Sequence, residues 1–145
     1  MPTRTARTAW TGDLAEGSGQ VELCSSKVGT YDVSWPKRTA DEAGGTTSPE
    51  ELIAAAHSSC YAMQFSALVA RAGGMPRSVD VTADVAIGPD PAGGFRISGI
   101  TLVVRADVDG LDEAAVLKVA DEAKATCPVS KALTGVPITL DAALV

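Results

Sequence analysis

The pattern of apolar and polar residues predicts short strands at both ends of the chain and helices between them. Three short segments open the sequence, separated by glycine-containing turns. In the second segment, Val21 and Leu23 alternate with Glu22 and Cys24, which is the period of a half-buried strand. We therefore predict a meander of three strands, over residues 9–14, 20–25 and 31–35.

The clearest helix signals in the sequence follow residue 47. Ser48 stands at the N-cap position, Pro49 at the first helical position, and Glu51 three residues after Ser48, which completes a capping box. The helix should continue to about residue 72, where a pair of glycines ends it. Its apolar residues lie all round the helix rather than along one stripe, which is typical of a buried helix.

The second half of the chain predicts two more strands, two more helical segments and a last strand. Segments 78–87 and 95–106 are rich in β-forming residues and are joined by a Gly- and Pro-rich turn, which predicts an antiparallel hairpin. An amphipathic helix, a short helical turn and a final strand should follow, over residues 112–125, 128–135 and 138–144. The order βββ-α-ββ-αα-β favours an α+β fold over a parallel βαβ sheet.

The length of the first helix predicts a partner for it. At 1.5 Å per residue this helix is ~35 Å long, and the short elements of one small domain cover about one side of it. Small Ala and Ser residues on the other side would let a second copy approach closely. We therefore predict an intertwined homodimer. The alternative is that the hairpin and the second helix wrap the first helix unaided.

Composition narrows the class of protein. With 145 residues, of which 46% are hydrophobic, the chain predicts one globular domain over residues 1–145 and excludes a disordered protein. The net charge of -6 and the lack of any basic cluster argue against nucleic acid or an anionic membrane as partner. No signal-peptide core and no membrane-spanning window free of polar residues stand out, so we expect a cytoplasmic location. One histidine and three cysteines without Cys-x-x-Cys spacing argue against a metal site, and we expect no cofactor.

Two cysteines indicate redox chemistry. Cys60 lies midway along the apolar helix, where a cysteine is most often a small packed hydrophobe. Cys127 precedes Pro128 and so stands at a helix N-cap, where free backbone N–H groups and the helix dipole favour a thiolate. The two cysteines are 67 residues apart, and spacing alone leaves open whether they meet. Cys24, on the polar face of a predicted strand, receives no role.

Two further side chains near Cys60 carry candidate chemistry. The capping box uses Glu51 and leaves the Glu50 carboxylate uncommitted. Ten residues separate Glu50 from Cys60, which is about 15 Å of helix rise, so Glu50 can approach Cys60 only in a second, antiparallel chain. His57 lies three residues before Cys60 on the same helix. This spacing allows a second hypothesis, in which the His57 imidazole deprotonates the Cys60 thiol and the thiolate acts as a nucleophile in acyl transfer. A single histidine on an apolar helix is, however, typical of a satisfied core residue.

Three motifs resemble the osmotically inducible protein C family of peroxidases (the OsmC/Ohr family). They are Thr47-Ser-Pro-Glu-Glu-Leu-Ile-Ala-Ala-Ala-His-Ser-Ser-Cys60-Tyr-Ala-Met63, Cys127-Pro-Val-Ser130 and the upstream Arg38. The resemblance covers almost the whole chain, including segments 82–85 and 138–141. It implies a fold in which antiparallel strands from two subunits wrap two central helices. It also implies an obligate dimer with a thiol-dependent peroxidase site at each end of the interface.

The resemblance also implies a role for each site residue. By position, Cys60 is the peroxidatic cysteine, Cys127 the resolving cysteine, and Glu50 the carboxylate that holds the active-site arginine. Arg38 fits the OsmC branch, because residues 13–20, near where the organic-hydroperoxide-resistance branch carries its arginine, contain no basic residue. Lys37 is the alternative cation. The resemblance thus assigns the attack to Cys60, whereas the helix-terminus argument favours Cys127.

The implied reaction is the reduction of organic hydroperoxides, and less well of hydrogen peroxide. It would pass through a sulfenic acid and an intramolecular disulfide that a dithiol reductant resets. A pocket lined by apolar residues of the first helix, among them Tyr61, Met63 or Phe65, would favour an organic substrate. Two alternatives remain open: a redox-silent carrier of a small apolar ligand, and an acyl hydrolase that uses Cys60 with His57.

Overall fold

The computed structural model describes all 145 residues, and it contains both helices and sheets. The chain divides into two compact units, Met1–Leu52 and Ile53–Val145. Its elements are β1 (Arg7–Thr11), β2 (Ser18–Glu22), β3 (Thr30–Val33), α1 (Trp35–Arg38), α2 (Pro49–Arg71), β4 (Met75–Pro89), β5 (Phe95–Asp109), α3 (Glu113–Thr126), α4 (Pro128–Ala132) and β6 (Ile138–Leu144). The mixed α+β class expected from the sequence is the class observed.

The first unit contains a three-stranded antiparallel sheet in the order β1-β2-β3. Ala9 pairs with Gln20, and Val21 pairs with Tyr31. Val21, an apolar position of the predicted alternation, is buried. The predicted meander is therefore present.

Helix α1, which carries Arg38, is an element that the sequence analysis missed. The Ser34 hydroxyl accepts the backbone N–H of Lys37 at 3.4 Å and so caps the helix, and Pro36 lies in its first turn. A serine followed two residues later by proline is the signal that could have revealed this helix. The strand predicted to end at Trp35 therefore ends at Val33, and Arg38 projects from a helix rather than from a strand end.

The start and the end of α2 are those predicted. The Ser48 hydroxyl accepts the Glu51 backbone N–H at 3.1 Å, so Ser48 is the N-cap. In the predicted capping box, the Glu51 carboxylate would accept the backbone N–H of Ser48. It instead accepts a hydrogen bond from the Thr47 hydroxyl. The helix ends at Arg71, and Gly73 follows with a φ of +90°, which favours glycine.

Helix α2 is buried on one side only. The buried residues fall on one face: His57, Tyr61, Phe65, Leu68 and Val69. The opposite face is exposed and is composed of small residues with one methionine: Ala55, Ala56, Ser59, Met63, Ala67 and Ala70. We call this second set the small-residue face of α2. The prediction of burial all round is therefore wrong for the single chain, and so is the alternative in which the chain's own elements wrap the helix unaided.

Helix α2 also has the length and hydropathy of a segment that crosses a membrane. This property rests on length and composition alone, and the core helices of globular proteins share it.

The second unit contains the sheet β4-β5-β6. Strands β4 and β5 form the predicted antiparallel hairpin, whereas β6 pairs with β5 in parallel, from Ile138 beside Ile100 to Leu144 beside Ala106. The expectation of antiparallel strands thus fails for β6. The physical reason is that α3 and α4 lie between β5 and β6, and a helical crossover returns the chain in the same direction.

The core of the second unit lies where the buried face of α2 and one side of α3 meet the sheet. The sheet contributes Leu102, Val104 and Ala106, and α3 contributes Val116, Val119, Ala120 and Ala123. Cys127, at the junction of α3 and α4, belongs to the same cluster, and Cys60 packs against it. The core therefore places both cysteines at one location.

Candidate active site

Cys60 and Cys127 are neighbours in the second unit, although the sequence left open whether they meet. Their side chains lie within hydrogen-bonding reach, and both are free thiols. Cys60 is half-buried, whereas Cys127 has an exposed fraction of 0%. The pair therefore combines one thiol that is open to solvent with one that is closed to it.

The surroundings of Cys60 favour its protonated form. Burial raises the pKa of the Cys60 thiol above its usual value, the backbone hydrogen bond from Val129 lowers it, and the neighbouring Cys127 raises it again. The balance is a raised pKa. A positive charge from outside this set of neighbours would favour the thiolate.

The N-terminus of α4 acts on Cys60 rather than on Cys127. Cys127 is the N-cap residue of α4, but its side chain makes no capping hydrogen bond. The backbone N–H of Val129, in the first turn of that helix, instead hydrogen-bonds to Cys60. The predicted N-cap position of Cys127 is therefore observed, but the hydrogen bond from the first turn of α4 goes to the Cys60 sulfur.

Arg38 and Glu50 form an ion pair within the first unit. Arg38 Nε lies 3.1 Å from both Glu50 oxygens, and Arg38 Nη2 lies 2.7 Å from Glu50 Oε1. Glu50 is 8% exposed. The guanidinium also lies 5.6 Å from the centre of the Trp35 ring. A bidentate ion pair with the buried Glu50 carboxylate fixes the plane of the Arg38 guanidinium. Glu50 therefore holds Arg38, not the neighbouring Lys37.

An apolar cavity of about 450 Å³ lies beside Arg38 in the first unit. It opens between the β1-β2-β3 sheet, α1 and the start of α2, and its large apolar lining residues are Trp10, Leu14, Val33, Trp35 and Leu52. Such a cavity can hold an apolar small molecule next to a fixed cation.

Two of the residues expected to line a substrate pocket on α2, Tyr61 and Phe65, do not do so. Tyr61 and Phe65 have exposed fractions of 0% and stack on each other with ring centres 6.1 Å apart. The Tyr61 hydroxyl donates to the Ala120 carbonyl oxygen at 2.9 Å. Met63 lies on the small-residue face of α2 and is 68% exposed. Tyr61 and Phe65 are core residues, because the face of α2 that carries them meets α3 and the sheet.

His57 does not pair with Cys60. Its imidazole is completely buried, and Nε2 lies 2.6 Å from the Ser130 hydroxyl oxygen. Nδ1 has no hydrogen-bond partner. Burial lowers the pKa of His57, so the ring is neutral at neutral pH. Because its hydrogen bond goes to Ser130, the geometry gives no support to a Cys–His hydrolase.

The remaining candidates do not join the site. The half-buried Cys24 lies in the turn after β2 rather than on the predicted strand, and its thiol approaches the Glu22 carbonyl oxygen at 3.5 Å. No group of three or more His, Cys, Asp or Glu side chains could hold a metal ion. The residues that the sequence analysis missed are Trp35, Val129 and Ser130. Val129 and Ser130 were visible only as members of the Cys127-Pro-Val-Ser130 motif, in which neither received a role.

Comparison with known protein families and sequences gives consistent relatives. The family model described as "OsmC-like protein" matches residues 41–141. The chain is 39% identical over 132 residues to "Peroxiredoxin OsmC" of Escherichia coli (strain K12), which covers 91% of this chain and 90% of that protein. It is 32% identical over 124 residues to "Organic hydroperoxide resistance protein OhrA" of Bacillus subtilis (strain 168), with 83% and 85% covered.

Solved structures share the fold. An organic hydroperoxide resistance protein from Elizabethkingia anophelis superposes with a TM-score of 0.77 at 26% identity, over 100% of this chain and 98% of that one. The organic hydroperoxide resistance protein OhrB of Bacillus subtilis gives a TM-score of 0.74 at 26% identity, over 96% and 98% of the two chains. The α+β fold expected from the sequence is therefore confirmed.

Proposed function

Because the chain belongs to the OsmC-like family, we propose that it is a cysteine-based peroxidase that reduces organic hydroperoxides, and hydrogen peroxide less well. The names of its relatives support a peroxidase-type role. The observation that carries the proposal for this chain is the pairing of half-buried Cys60 with fully buried Cys127. A two-thiol mechanism needs one cysteine that reacts with the peroxide and a second cysteine, close to the first, that forms the disulfide.

In the first step, the Cys60 thiolate attacks one oxygen of the O–O bond. The bond breaks, the distal oxygen stays on sulfur as a sulfenic acid, and the alkoxide takes up a proton and leaves as an alcohol. Cys60 is the attacking residue because its thiol is partly open to solvent, whereas Cys127 is closed to it. The Val129 N–H hydrogen bond to Cys60 favours the sulfur anion.

In the second step, the Cys127 thiol attacks the sulfenic sulfur of Cys60. A disulfide forms and water leaves, which removes the sulfenic acid before a second peroxide can oxidise it further. Two thiols of a dithiol reductant then reopen the disulfide by exchange. The cycle uses no cofactor, and it requires a reducing compartment, for which we propose the cytoplasm.

We assign the activating charge to Arg38 of a second chain. Glu50 holds Arg38, and Glu50 precedes Cys60 by ten residues of α2, which is about 15 Å of rise. Along α2, the Glu50 carboxylate is therefore too far from Cys60 to touch the sulfur of its own helix. Two α2 helices that pack antiparallel bring the Arg38–Glu50 pair of one chain to Cys60 of the other.

The small-residue face of α2 supports the proposed homodimer. Its alanines and serine allow close approach of a second helix, and its Met63 is 68% exposed in the single chain. Burial of such a face against a second copy removes apolar surface from water. The family match at residues 41–141 spans both compact units, and we propose that they act as one domain.

The cavity beside Arg38 supports an organic substrate. An alkyl group that enters the apolar lining gains about 25 cal/mol for each Å² removed from water, and hydrogen peroxide has no such group. The higher identity to the OsmC relative, 39%, than to the OhrA relative, 32%, supports placement in the OsmC branch.

Intact-mass analysis tests the proposed function. After one equivalent of cumene hydroperoxide, we expect each chain to lose two hydrogens, the mass change of one disulfide. The Cys24→Ser variant is the matched control and should lose the same mass, because Cys24 lies outside the thiol pair. An unchanged mass, or a mass change that needs Cys24, would overturn the proposal.

A further inference from the structure

His57 and Ser130 form a buried side-chain hydrogen bond for which the reaction scheme above has no use. His57 is completely buried, Ser130 is 4% exposed, and Nε2 lies 2.6 Å from the Ser130 hydroxyl oxygen. The bond links α2 to α4 across 73 positions of the sequence. It therefore ties together two elements that the chain itself keeps far apart.

The partners of this bond lie close to the two cysteines along the chain, three residues from each. His57 stands three residues before Cys60 on α2, and Ser130 stands three residues after Cys127 on α4. Residues three apart on a helix share a face. The bond therefore connects the faces of α2 and α4 that also carry the two cysteines.

The buried imidazole of His57 lowers the stability of the fold, because its Nδ1 atom has lost contact with water and has no hydrogen-bond partner. An apolar side chain of similar size would avoid that cost. What the imidazole supplies in return is a directional contact with α4. That helix has five residues and begins with a proline, so few of its own backbone hydrogen bonds hold it in place.

His57 is poorly suited to act as a base for either thiol. Its Nε2 atom is committed to Ser130, and no hydrogen bond joins the ring to Cys60 or Cys127. An unpaired buried acceptor is less costly than an unpaired buried N–H. On this ground we assign the tautomer in which Nε2–H donates to the Ser130 oxygen and Nδ1 is the unpaired acceptor. The pair can therefore affect the chemistry only through the position of α4.

We propose that the His57–Ser130 hydrogen bond is a positioning device that holds α4 against α2 and keeps Cys127 within reach of Cys60. This inference rests on the proposed peroxidase function and concerns its second step, the formation of the disulfide. His57 and Ser130 are positioning residues that touch neither the peroxide nor the reacting sulfurs.

The test separates the two steps by single-turnover kinetics. After one equivalent of cumene hydroperoxide, samples are quenched with dimedone, which traps the Cys60 sulfenic acid, and the trapped acid and the disulfide are counted by mass. In Ser130→Ala, we expect disulfide formation to slow by on the order of tenfold, the effect of one lost hydrogen bond, with a longer-lived sulfenic acid. Ser130→Thr keeps the hydroxyl and should restore the rate.

Tyr61→Phe is the matched control. It removes an equally buried hydrogen bond of α2, the one from the Tyr61 hydroxyl to the Ala120 carbonyl, which leads to α3 rather than to α4. A loss of stability alone would affect Tyr61→Phe and Ser130→Ala alike. We expect both variants to melt at a lower temperature and only Ser130→Ala to form the disulfide slowly.

A second oxidant keeps this test independent of peroxidase activity. An aromatic disulfide oxidises a thiol pair by exchange: Cys60 displaces one aromatic thiol, and Cys127 displaces the second as the Cys60–Cys127 bond forms. Release of the second aromatic thiol should also slow in Ser130→Ala. Equal rates in Ser130→Ala and the wild type, or equal slowing in Tyr61→Phe, would overturn the positioning role. A wild-type chain that forms the disulfide by exchange but never with peroxide would overturn the proposed function alone.

Discussion

At the scale of single residues, the two thiols differ in exposure rather than in intrinsic chemistry. Cys60 is half-buried and receives the Val129 N–H, whereas Cys127 is closed to solvent. In the proposed reaction, a peroxide molecule therefore reaches only Cys60, and Cys127 reacts only with the Cys60 sulfur beside it.

This difference predicts distinct phenotypes for the two serine variants. Cys60→Ser should abolish peroxide turnover, because no exposed nucleophile of the pair remains. Cys127→Ser should release one equivalent of alcohol per chain and then stall as a sulfenic or sulfinic acid. Alcohol release and intact mass measure both outcomes. Normal steady-state turnover by Cys60→Ser would contradict the assignment.

A second prediction concerns the cation that activates Cys60. Burial and the neighbouring Cys127 already raise the pKa of the Cys60 thiol. Arg38→Ala should raise this pKa further, because a nearby positive charge is lost, and should slow the reaction of Cys60 with peroxide. Lys37→Ala is the adjacent control and should be nearly silent, because Glu50 holds Arg38. The rate of Cys60 alkylation against pH decides between them. A larger effect at Lys37 would transfer the role to that residue.

The buried His57 predicts a pH dependence of stability. Burial lowers its pKa below the ordinary value of 6.5, so between those two values the unfolded chain binds a proton that the folded chain does not. The free energy of unfolding should therefore fall as the pH drops below about 6.5. The chain has one histidine, so this loss should be smaller in His57→Gln.

Urea unfolding at a series of pH values between about 7.5 and 5 measures this effect. Carboxylates titrate mainly below that window, and the raised pKa of Cys60 places its thiol above it. If the wild type and His57→Gln lost stability equally with falling pH, the burial of a neutral imidazole would be contradicted.

At the scale of elements, the sequence predicted those helix ends that are determined by interactions within a few residues. The cap at Ser48 and the glycine at the end of α2 were readable because they act within a few residues. Helix α1 was missed because Tyr31 to Trp35 has the residue types of a strand, and the cap at Ser34 is the weaker signal. The parallel pairing of β6 depends on the whole path through α3 and α4, which no local pattern encodes.

The sequence predicted which residues belong to the candidate site but not how they are arranged in space. The types of residue at Cys60, Cys127, Arg38 and Glu50 were visible in the sequence, together with the family motifs that contain them. The contact of the two thiols joins positions 67 residues apart, and the direction of the Cys60 pKa shift depends on its burial. Both are consequences of tertiary packing.

The small-residue face of α2 predicts the effect of a charge placed on it. Met63→Glu should convert the proposed homodimer to monomers, because a buried unpaired carboxylate would be required at the interface. Met75→Glu is the control: Met75 is 62% exposed, close to the 68% of Met63, but lies on β4. Light scattering after size exclusion measures both masses. Dimers of unchanged stability in Met63→Glu would contradict an interface on this face.

At the scale of the whole molecule, we propose that one site requires two chains. Arg38 is held by Glu50 at the start of α2, while Cys60 and Cys127 pair further along that helix and at α4. About 15 Å of helix rise separates Glu50 from Cys60 of the same chain. In the proposed dimer, each peroxidase site takes its thiols from one subunit and its cation from the other.

Activity of a mixed dimer tests that claim most directly. The two chains, Cys60→Ser and Glu50→Ala, are each expected to be inactive as homodimers, and they are co-expressed with different tags because intertwined dimers exchange slowly. In the mixed dimer, the Arg38–Glu50 pair of the first chain meets Cys60 of the second, so one site is complete. We predict about half of the wild-type activity per dimer. Activity no higher than that of the two parent homodimers would contradict the shared site.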